Sequence, residues 1–342
     1  MLKYNYIFFN VADINTRIST PLEYNAICVK DLLSMQGVKV VSYPVDYASY
    51  LIRWFYSIHH SSRINKIVKI PFKKLWYPFY FKENFTDNKP ICFVLSCTYL
   101  SIDYLKYLKK KYPNCRIVRI HRDLIGLWKQ KHSDFEEESK LIDLRLSYDC
   151  EDSKKYGIPH FDEFESKINI ERAPNYPLSD VFFAGKAKDR LPMILDVYHK
   201  LAEAGLNCDF FITNVQKNMQ IHLKGITYSD KPMSYYQMLY RSVNSKCILE
   251  IQQTGATGYT SRFLEAVMYN KKLITNNQSI KDSPFYHKDY IQCFTNLDDI
   301  DTSFVTKSLE NIDYHYNNEF SPIHLIEQID SELERIDSCE NR

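Results

Sequence analysis

The sequence predicts an α/β protein made of two tandem domains, each with a parallel sheet. Its 342 residues are more than one small core organises and suit two domains of roughly 150 residues each. Hydrophobic residues make up 45% of the chain and charged residues 25%, so each domain can bury a core. Short apolar runs alternate with helical patterns along the chain. That alternation is typical of strands joined by crossover helices.

The first predicted domain, residues 1–160, opens on the strand KYNYIFFNV and a polar loop. A helix follows, because Thr20 can cap it and Pro21 suits its first position. Gly37 ends this helix before the strand VKVVSY. A second β-α-β unit follows as ICFVLS, a helix over residues 101–112 and CRIVRIH.

The polar segment 149–178 carries three prolines and predicts loops between the domains. The second predicted domain, residues 161–320, repeats the alternation, with strands in SDVFFAG, NCDFFIT, SKCILEIQ, KKLIT and YIQCFTN. Helices are predicted over 190–204, 233–241, from Ser261 and over about 297–309. Residues 321–342 predict an amphipathic helix with a frayed tail, since Pro322 suits a first helical position and apolar residues recur at helical spacing.

Several classes of protein are disfavoured by the composition. A net charge of +2 does not indicate a basic nucleic-acid-binding surface, so we expect no nucleic-acid partner. Nine cysteines occur without a C-x-x-C pair, which indicates reduced thiols of a cytoplasmic protein. The first apolar run is too short for a signal peptide or a membrane span. G-x-G-x-x-G and P-loop motifs are missing, which disfavours a dinucleotide-dependent oxidoreductase and a P-loop enzyme.

A loop-to-helix junction at residues 255–277, GATGYTSRFLEAVMYNKKLITNN, predicts a phosphate site. The first turn of the helix, with Thr260, Ser261 and Arg262, offers backbone N–H groups and the positive end of the helix dipole. An arginine there has the wrong sign for the dipole and is tolerated best beside a bound anion. Glu265 is predicted to share the exposed face with Ser261 and to point toward the ligand. The alternatives are plain capping and a solvent-facing glutamate.

A second strand-to-helix turn, VFFAGKAKDRLPMIL, carries the same kind of signal. Gly185 lets a ligand approach the backbone, while Lys186, Lys188 and Arg190 supply cations at the carboxyl edge of a parallel sheet. A solvated charged loop is the alternative.

Together these motifs resemble the C-terminal donor domain of GT-B glycosyltransferases over about residues 180–280. The resemblance implies two Rossmann-like β/α/β domains that face a central cleft. It also implies that Glu265 holds the ribose hydroxyls of a nucleotide sugar and that Tyr228 lies beside the base. The diphosphate would be bound by the two junctions, through Gly185, Lys186, Arg190, Thr260, Ser261 and Arg262. Retaining members often carry a second glutamate where this chain has Thr257, which leaves the stereochemistry open.

The N-terminal domain offers candidates for the chemistry by the same resemblance. His121 and Asp123 follow the strand CRIVRIH, and Asp13 lies in the loop after the first strand. An inverting transfer needs a general base for the acceptor hydroxyl, and each of these side chains suffices. The alternative for each is a loop residue at a strand end. Cations and the helix dipole would stabilise the leaving diphosphate, so neither a metal nor a cofactor is expected.

The segment from Ile52 to Phe85 interleaves basic and aromatic residues. Such a surface suits anionic lipid, as a lipid-linked acceptor would require. Ordinary packing with lysines that reach to water is the alternative.

We therefore expect a cytoplasmic glycosyltransferase, in peripheral contact with the inner face of the cell membrane. It would move a sugar from a nucleotide-sugar donor to a hydroxyl of a glycan or lipid-linked glycan, in a bacterial capsule, O-antigen or lipopolysaccharide. Two alternatives stay open: a nucleotide-sugar epimerase of the same fold, and a non-catalytic donor-binding partner of a polysaccharide assembly complex.

Overall fold

The chain divides into two compact units. Unit 1 comprises Met1–Ser166 and Ser321–Arg342, and unit 2 comprises Lys167–Phe320. The computed structural model describes residues 2–10, 23–42, 44–45, 47–68, 70–82, 84–96, 98–173, 175–309 and 311–340. The predicted cap of the first helix, at Thr20 and Pro21, lies outside the described residues.

Unit 1 is built on a five-stranded parallel sheet of order β2-β1-β3-β4-β5. Its strands are β1 (Asn5–Phe9), β2 (Val38–Val41), β3 (Ile91–Ser96), β4 (Arg116–His121) and β5 (Leu144–Ser147). Its helices before residue 160 are α1 (Glu23–Cys28), α2 (Tyr50–His59), α3 (Ser62–Ile67), α4 (Ile102–Lys111), α5 (Ile125–Lys131), α6 (Phe135–Ser139) and α7 (Cys150–Tyr156), with 3-10 helices over Lys30–Ser34 and Lys73–Phe79. Strands β1 and β3 are buried along their whole length, as expected of a parallel sheet covered on both faces.

Unit 2 is built on a six-stranded parallel sheet of order β8-β7-β6-β9-β10-β11. Its strands are β6 (Ser179–Lys186), β7 (Cys208–Thr213), β8 (Ile226–Ser229), β9 (Ser245–Glu250), β10 (Lys272–Thr275) and β11 (Ile291–Cys293). Its α-helices are α8 (Leu191–Glu203), α9 (Tyr235–Asn244), α10 (Ser261–Met268) and α11 (Ser303–Thr306); 3-10 helices cover Lys188–Arg190, Lys217–Met219, Gln278–Asp282 and Leu297–Asp299. The order is that of the Rossmann fold, in which the chain runs outward from the centre in both directions.

The last helix, α12 (Pro322–Glu340), belongs to unit 1. Its carboxylates are bound to the start of the chain: Asp330 accepts hydrogen bonds from the Lys3 N–H at 2.9 Å and from the Tyr6 hydroxyl at 2.6 Å. The apolar stripe predicted for this helix lies in the core of unit 1, where Ile326, Ile329 and Leu333 are fully buried.

Two predicted elements differ from the structure. The helix predicted over 297–309 is a 3-10 turn and the short α11. The segment 149–178, predicted as loops, contains α7, which Asp149 caps and Gly157 ends with φ of +62°. The strands β5 and β8 and the helices α2, α3, α5 and α6 were not predicted. No helix among the described residues has the length and apolarity needed to cross a membrane.

Candidate functional site

The carboxyl ends of β6 and β9 lie side by side at the centre of the unit 2 sheet. From β6 the chain adds strands toward one side of the sheet, and from β9 it adds them toward the other side. Ligands of open α/β sheets bind at such a switch point. Both loops singled out from the sequence emerge here: residues 187–190 follow β6, and residues 251–260 follow β9. The fold therefore brings the two predicted phosphate junctions to one edge.

The turn after β6 is tied to the loop after β9. Lys188, at φ of +46°, donates from Nζ to Oε1 of Gln253 at 2.5 Å. Lys186, the last residue of β6, is exposed. A Cβ on Gly185 would lie 3.2 Å from Cζ of Phe183, so a larger residue would press on the neighbouring ring. Both lysines are therefore exposed, and Lys188 also links the two loops.

Arg190 joins the two strand ends through its guanidinium group. One terminal nitrogen donates to the backbone oxygen of Ile251 at 2.5 Å and the other to that of Lys186 at 2.5 Å. Its Nε is buried and has no hydrogen-bond partner in the part of the chain that is described. Burial lowers the pKa of Arg190. In this geometry Arg190 positions the site, whereas its predicted contact with a diphosphate stays a prediction.

We expect Arg190→Lys to lower the free energy of unfolding by about 1 to 3 kcal/mol, because an ammonium group cannot span both carbonyls and leaves a buried acceptor unsatisfied. Urea denaturation measures the change. Arg335→Lys is the matched control, since the Arg335 side chain is 71% exposed and should show no comparable loss. Equal stability of the two variants would contradict the positioning role.

The loop after β9 is held by polar side chains that sequence reasoning did not single out. Gln252 donates from Nε2 to the backbone oxygen of Gly258 at 2.7 Å, and Asn277 donates to the same oxygen at 3.2 Å. The hydroxyl of Ser279 donates to the backbone oxygen of Thr257 at 2.6 Å. The polar run NNQS that follows β10 was the available signal for the last two. These bonds fix the path of the glycine-bearing loop.

The start of α10 is fixed to the end of β9. Thr260 caps the helix, accepting a hydrogen bond from the Arg262 N–H at 3.2 Å, and its hydroxyl donates to Glu250. Glu250 is buried, also accepts a hydrogen bond from the hydroxyl of Thr275, and has its pKa raised by burial. Ser261 begins the helix and is half-buried. The helix N-terminus therefore has a defined position at the switch point.

The predicted exposed position of Glu265 is wrong. The residue is 0% exposed and accepts hydrogen bonds from Arg262, from the Ser242 hydroxyl at 3.3 Å and from the Tyr235 hydroxyl at 3.3 Å. Burial raises its pKa to about 7, against the opposing effects of Arg262 and Ser242. The physical reason is that α10 is covered on nearly all sides, so even its polar face lies inside the unit, against α9.

The ion pair with Glu265 explains why an arginine is tolerated at position 262. The anion that an arginine in the first helical turn requires is supplied by Glu265, three residues along the same helix. The presence of Arg262 in the first helical turn is therefore no separate evidence for a bound phosphate.

Tyr228 lies on β8, two strands away from β6. Its ring packs against the core of unit 2, and its hydroxyl accepts a hydrogen bond from the Ile221 N–H at 3.4 Å.

His121 ends β4 in unit 1 and is 2% exposed. Arg145 donates to its Nε2 at 3.0 Å, because an arginine can only donate. Burial, with the added effect of Arg145 and Arg119, lowers the pKa of His121 to about 2. A general base needs a pKa near the working pH and an open lone pair, so this geometry does not suit the predicted role.

Asp123 is exposed and lies two residues beyond β4. It lines a cavity of about 110 Å³ together with Ile120, His121, Arg122, Trp128 and Lys131. That volume is far below the roughly 300 to 1,000 Å³ of a typical ligand pocket. The third candidate, Asp13, lies outside the described residues.

The chain has one Asp-x-Asp pair, Asp299 and Asp301, and both carboxylates accept hydrogen bonds from nearby backbone N–H groups. Asp299 accepts hydrogen bonds from the backbone N–H groups of Thr295 and Asn296, and Asp301 from that of Ser303 at 2.9 Å. Both carboxylates therefore cap turns.

Comparison with solved structures shows the fold. An alpha-glucosyltransferase in complex with UDP superposes with a TM-score of 0.53 at 12% identity, covering 95% of this chain and 98% of the other. An alpha-glucosyltransferase in complex with UDP and a 13-mer DNA containing a HMU base gives a TM-score of 0.51 at 11% identity, with 88% of each chain covered. No protein-family model matches the chain, and no curated protein matches it by sequence. The predicted α/β class, with two Rossmann-like domains of the GT-B type, is confirmed.

Proposed function

We propose that the protein is a glycosyltransferase that uses a nucleotide-sugar donor bound to unit 2. The observation that carries the proposal is the switch point between β6 and β9. Lys188 and Arg190 join the two loops there, and Thr260 ties the N-terminus of α10 to Glu250 at the end of β9. A helix N-terminus beside an exposed lysine suits a diphosphate. The fold shared with an alpha-glucosyltransferase that binds UDP supports this choice of ligand.

Within this proposal, Lys186 and the first turn of α10 contact the diphosphate. Lys186 is exposed at the strand end, and Thr260, Ser261 and Arg262 begin the helix. The contact of Glu265 with the ribose and that of Tyr228 with the base stay predictions from the resemblance.

The acceptor side of the proposal rests on Asp123 and Asp13 as candidates for the general base. Asp123 is exposed to solvent beyond the carboxyl end of β4, whereas Nε2 of His121 accepts a hydrogen bond from Arg145. We propose the hydroxyl of a growing bacterial surface glycan as the acceptor. We also propose that the leaving diphosphate is stabilised by cations and the helix dipole, so that the reaction needs no metal.

A thermal-shift screen against UDP, GDP, CDP, dTDP and their sugars tests the donor site. One nucleotide class at a hundredfold excess over its Kd should stabilise the folded state by about 2.7 kcal/mol, which raises Tm by several degrees. The shift should persist in EDTA. Lys186→Ala should raise the Kd about tenfold through loss of a charge-assisted contact. Lys224→Ala, which removes an exposed lysine far along the chain, is the control.

The absence of a shift with all four nucleotides would sink the proposal. Incubation of the donor alone separates transfer from epimerisation: a transferase needs an acceptor, whereas conversion of the sugar without one would overturn the assignment.

A further inference from the structure

Unit 1 carries a concentrated apolar surface. Of the 18 large hydrophobic side chains exposed among the described residues, 12 lie between Tyr47 and Phe79. We call these residues and the cations among them the 47–79 surface. The most exposed of its hydrophobic residues are Ile67 at 87%, Tyr50 at 76% and Phe72 at 73%. Isolated exposed hydrophobic residues are normal, but a cluster of this size marks an interaction site.

The surface is the outer side of a firmly packed substructure. On the inner side, Tyr56, Tyr77 and Tyr80 are buried in the core of unit 1. Trp76 donates to Nδ1 of His59 at 2.7 Å and so joins the 3-10 helix Lys73–Phe79 to α2. The hydroxyl of Tyr47 donates to the backbone oxygen of Phe79 at 3.1 Å. Tyr77 and Tyr80 belong to the predicted membrane-facing segment, but their rings fill the core and are not part of its exposed side.

The outer side is also strongly basic. Residues 47–79 contain six lysines and arginines and no aspartate or glutamate. Arg53, Arg63, Lys66 and Lys74 are exposed among the apolar side chains. Lys74 has a partner from outside the segment, Asp103 at 2.9 Å.

We propose that the 47–79 surface docks on an anionic lipid bilayer. Its aromatic and aliphatic side chains would enter the headgroup region while the cations contact lipid phosphates, as in interfacial helices. A second copy of the chain fits poorly, because a two-fold contact would place the two sets of cations against each other. The proposal deepens the proposed function, on which it rests for its biological purpose, by placing the enzyme where a lipid-linked acceptor is found.

Sedimentation with vesicles tests the proposal on the full chain. Binding is expected to vesicles of phosphatidylcholine with phosphatidylglycerol and not to phosphatidylcholine alone, and it should weaken as the salt concentration rises. Arg63→Gln with Lys66→Gln should reduce partitioning about 30-fold, from roughly 1 kcal/mol per cation near an anionic surface. Ile67→Ser with Phe72→Ser should reduce it at least about tenfold.

The matched controls are Leu33→Ser and Leu178→Ser for exposed hydrophobic residues outside the surface, and Lys224→Gln for a lysine. All variants should keep the wild-type Tm, since the altered side chains are exposed. Trp54 is 48% exposed and reports insertion directly: brominated lipid should quench its fluorescence, and Trp54→Phe should lose that quenching.

Equal binding by the surface variants and the controls would overturn the proposal, as would a lack of binding to the anionic vesicles. A dimer in solution that the surface variants convert to monomers would overturn it in favour of a second copy. The nucleotide-induced shift in Tm, measured without vesicles, should be the same in the surface variants and the wild type. Failure at the donor site is thereby distinguished from failure at the membrane.

Discussion

Replacing Glu265 with alanine is expected to lower the free energy of unfolding by about 3 kcal/mol, because it leaves the guanidinium of Arg262 without its buried counter-ion. The carboxylate is 0% exposed and the Arg262 side chain 14% exposed, so water can compensate for little of the loss. Urea denaturation at pH 8, above the raised pKa, measures the effect.

The chain offers a matched control in Glu332 and Arg335. This pair has the same three-residue spacing on a helix, but its side chains are 23% and 71% exposed. Glu332→Ala should therefore cost less than about 1 kcal/mol. Similar losses for the two glutamates would show that burial of the Glu265 pair is not what makes it important.

The pH dependence has a definite sign. Burial raises the pKa of Glu265 from its ordinary value of 4.5 to about 7, so between these values the folded protein binds more protons than the unfolded chain. The stability gained from this extra bound proton is present below pH 4.5 and is lost as the pH rises to about 7. At pH 8 the carboxylate is ionised, and Glu265→Ala then removes its ion pair with Arg262. The difference in stability between wild type and Glu265→Gln should follow this course. A difference that grows in favour of the wild type over the same range would contradict the raised pKa.

A ribose contact by Glu265 has a separate signature. If Glu265 holds the ribose hydroxyls, the wild type should prefer UDP to its 2′-deoxy counterpart and Glu265→Gln should lose that preference. If the residue acts only through Arg262 and α10, the variant should weaken both nucleotides by the same factor. The ratio of the two Kd values therefore separates a contact with substrate from a positioning role.

Most of the strands were predictable from sequence because their apolar runs are local. Strands β5 and β8 were missed, and each has only four residues. Helix α7 has local signals, an Asp149 cap and Gly157 at its end, but its residues CEDSKKY form no apolar stripe. It packs as a short polar helix in a segment whose polarity indicates a loop.

The site residues show where local reasoning stops. The residue types at the switch point could be found from sequence, because glycines, cations and caps have fixed offsets along one chain segment. The burial of Glu265 depends on α9, which supplies Ser242 and Tyr235. The state of His121 depends on Arg145, which lies 24 residues later on the neighbouring strand. Tertiary contacts of this kind leave no periodic signal.

Gly225→Ala is expected to destabilise unit 2 more than Gly205→Ala does. A Cβ at Gly225 would lie 2.1 Å from the backbone oxygen of Cys208, and the residue has φ of +85°. The two backbone segments cannot separate freely, because the backbone oxygen of Gly225 accepts a hydrogen bond from the Phe210 N–H at 2.7 Å. We expect a loss of about 3 kcal/mol or more in the free energy of unfolding, since strain and a clash with backbone combine.

Gly205→Ala isolates the contribution of the clash. Gly205 has φ of +79°, precedes β7 as Gly225 precedes β8, and has no atom within 4 Å of an added Cβ. Its substitution should cost about 1 to 2 kcal/mol, from the left-handed backbone alone. Because β8 carries Tyr228, a shift of this strand should also weaken the predicted contact with the base and reduce discrimination among nucleotides in the thermal-shift screen. Equal losses of stability in the two variants would mean that the chain relaxes around Cys208, and the close approach would then not be what positions β8.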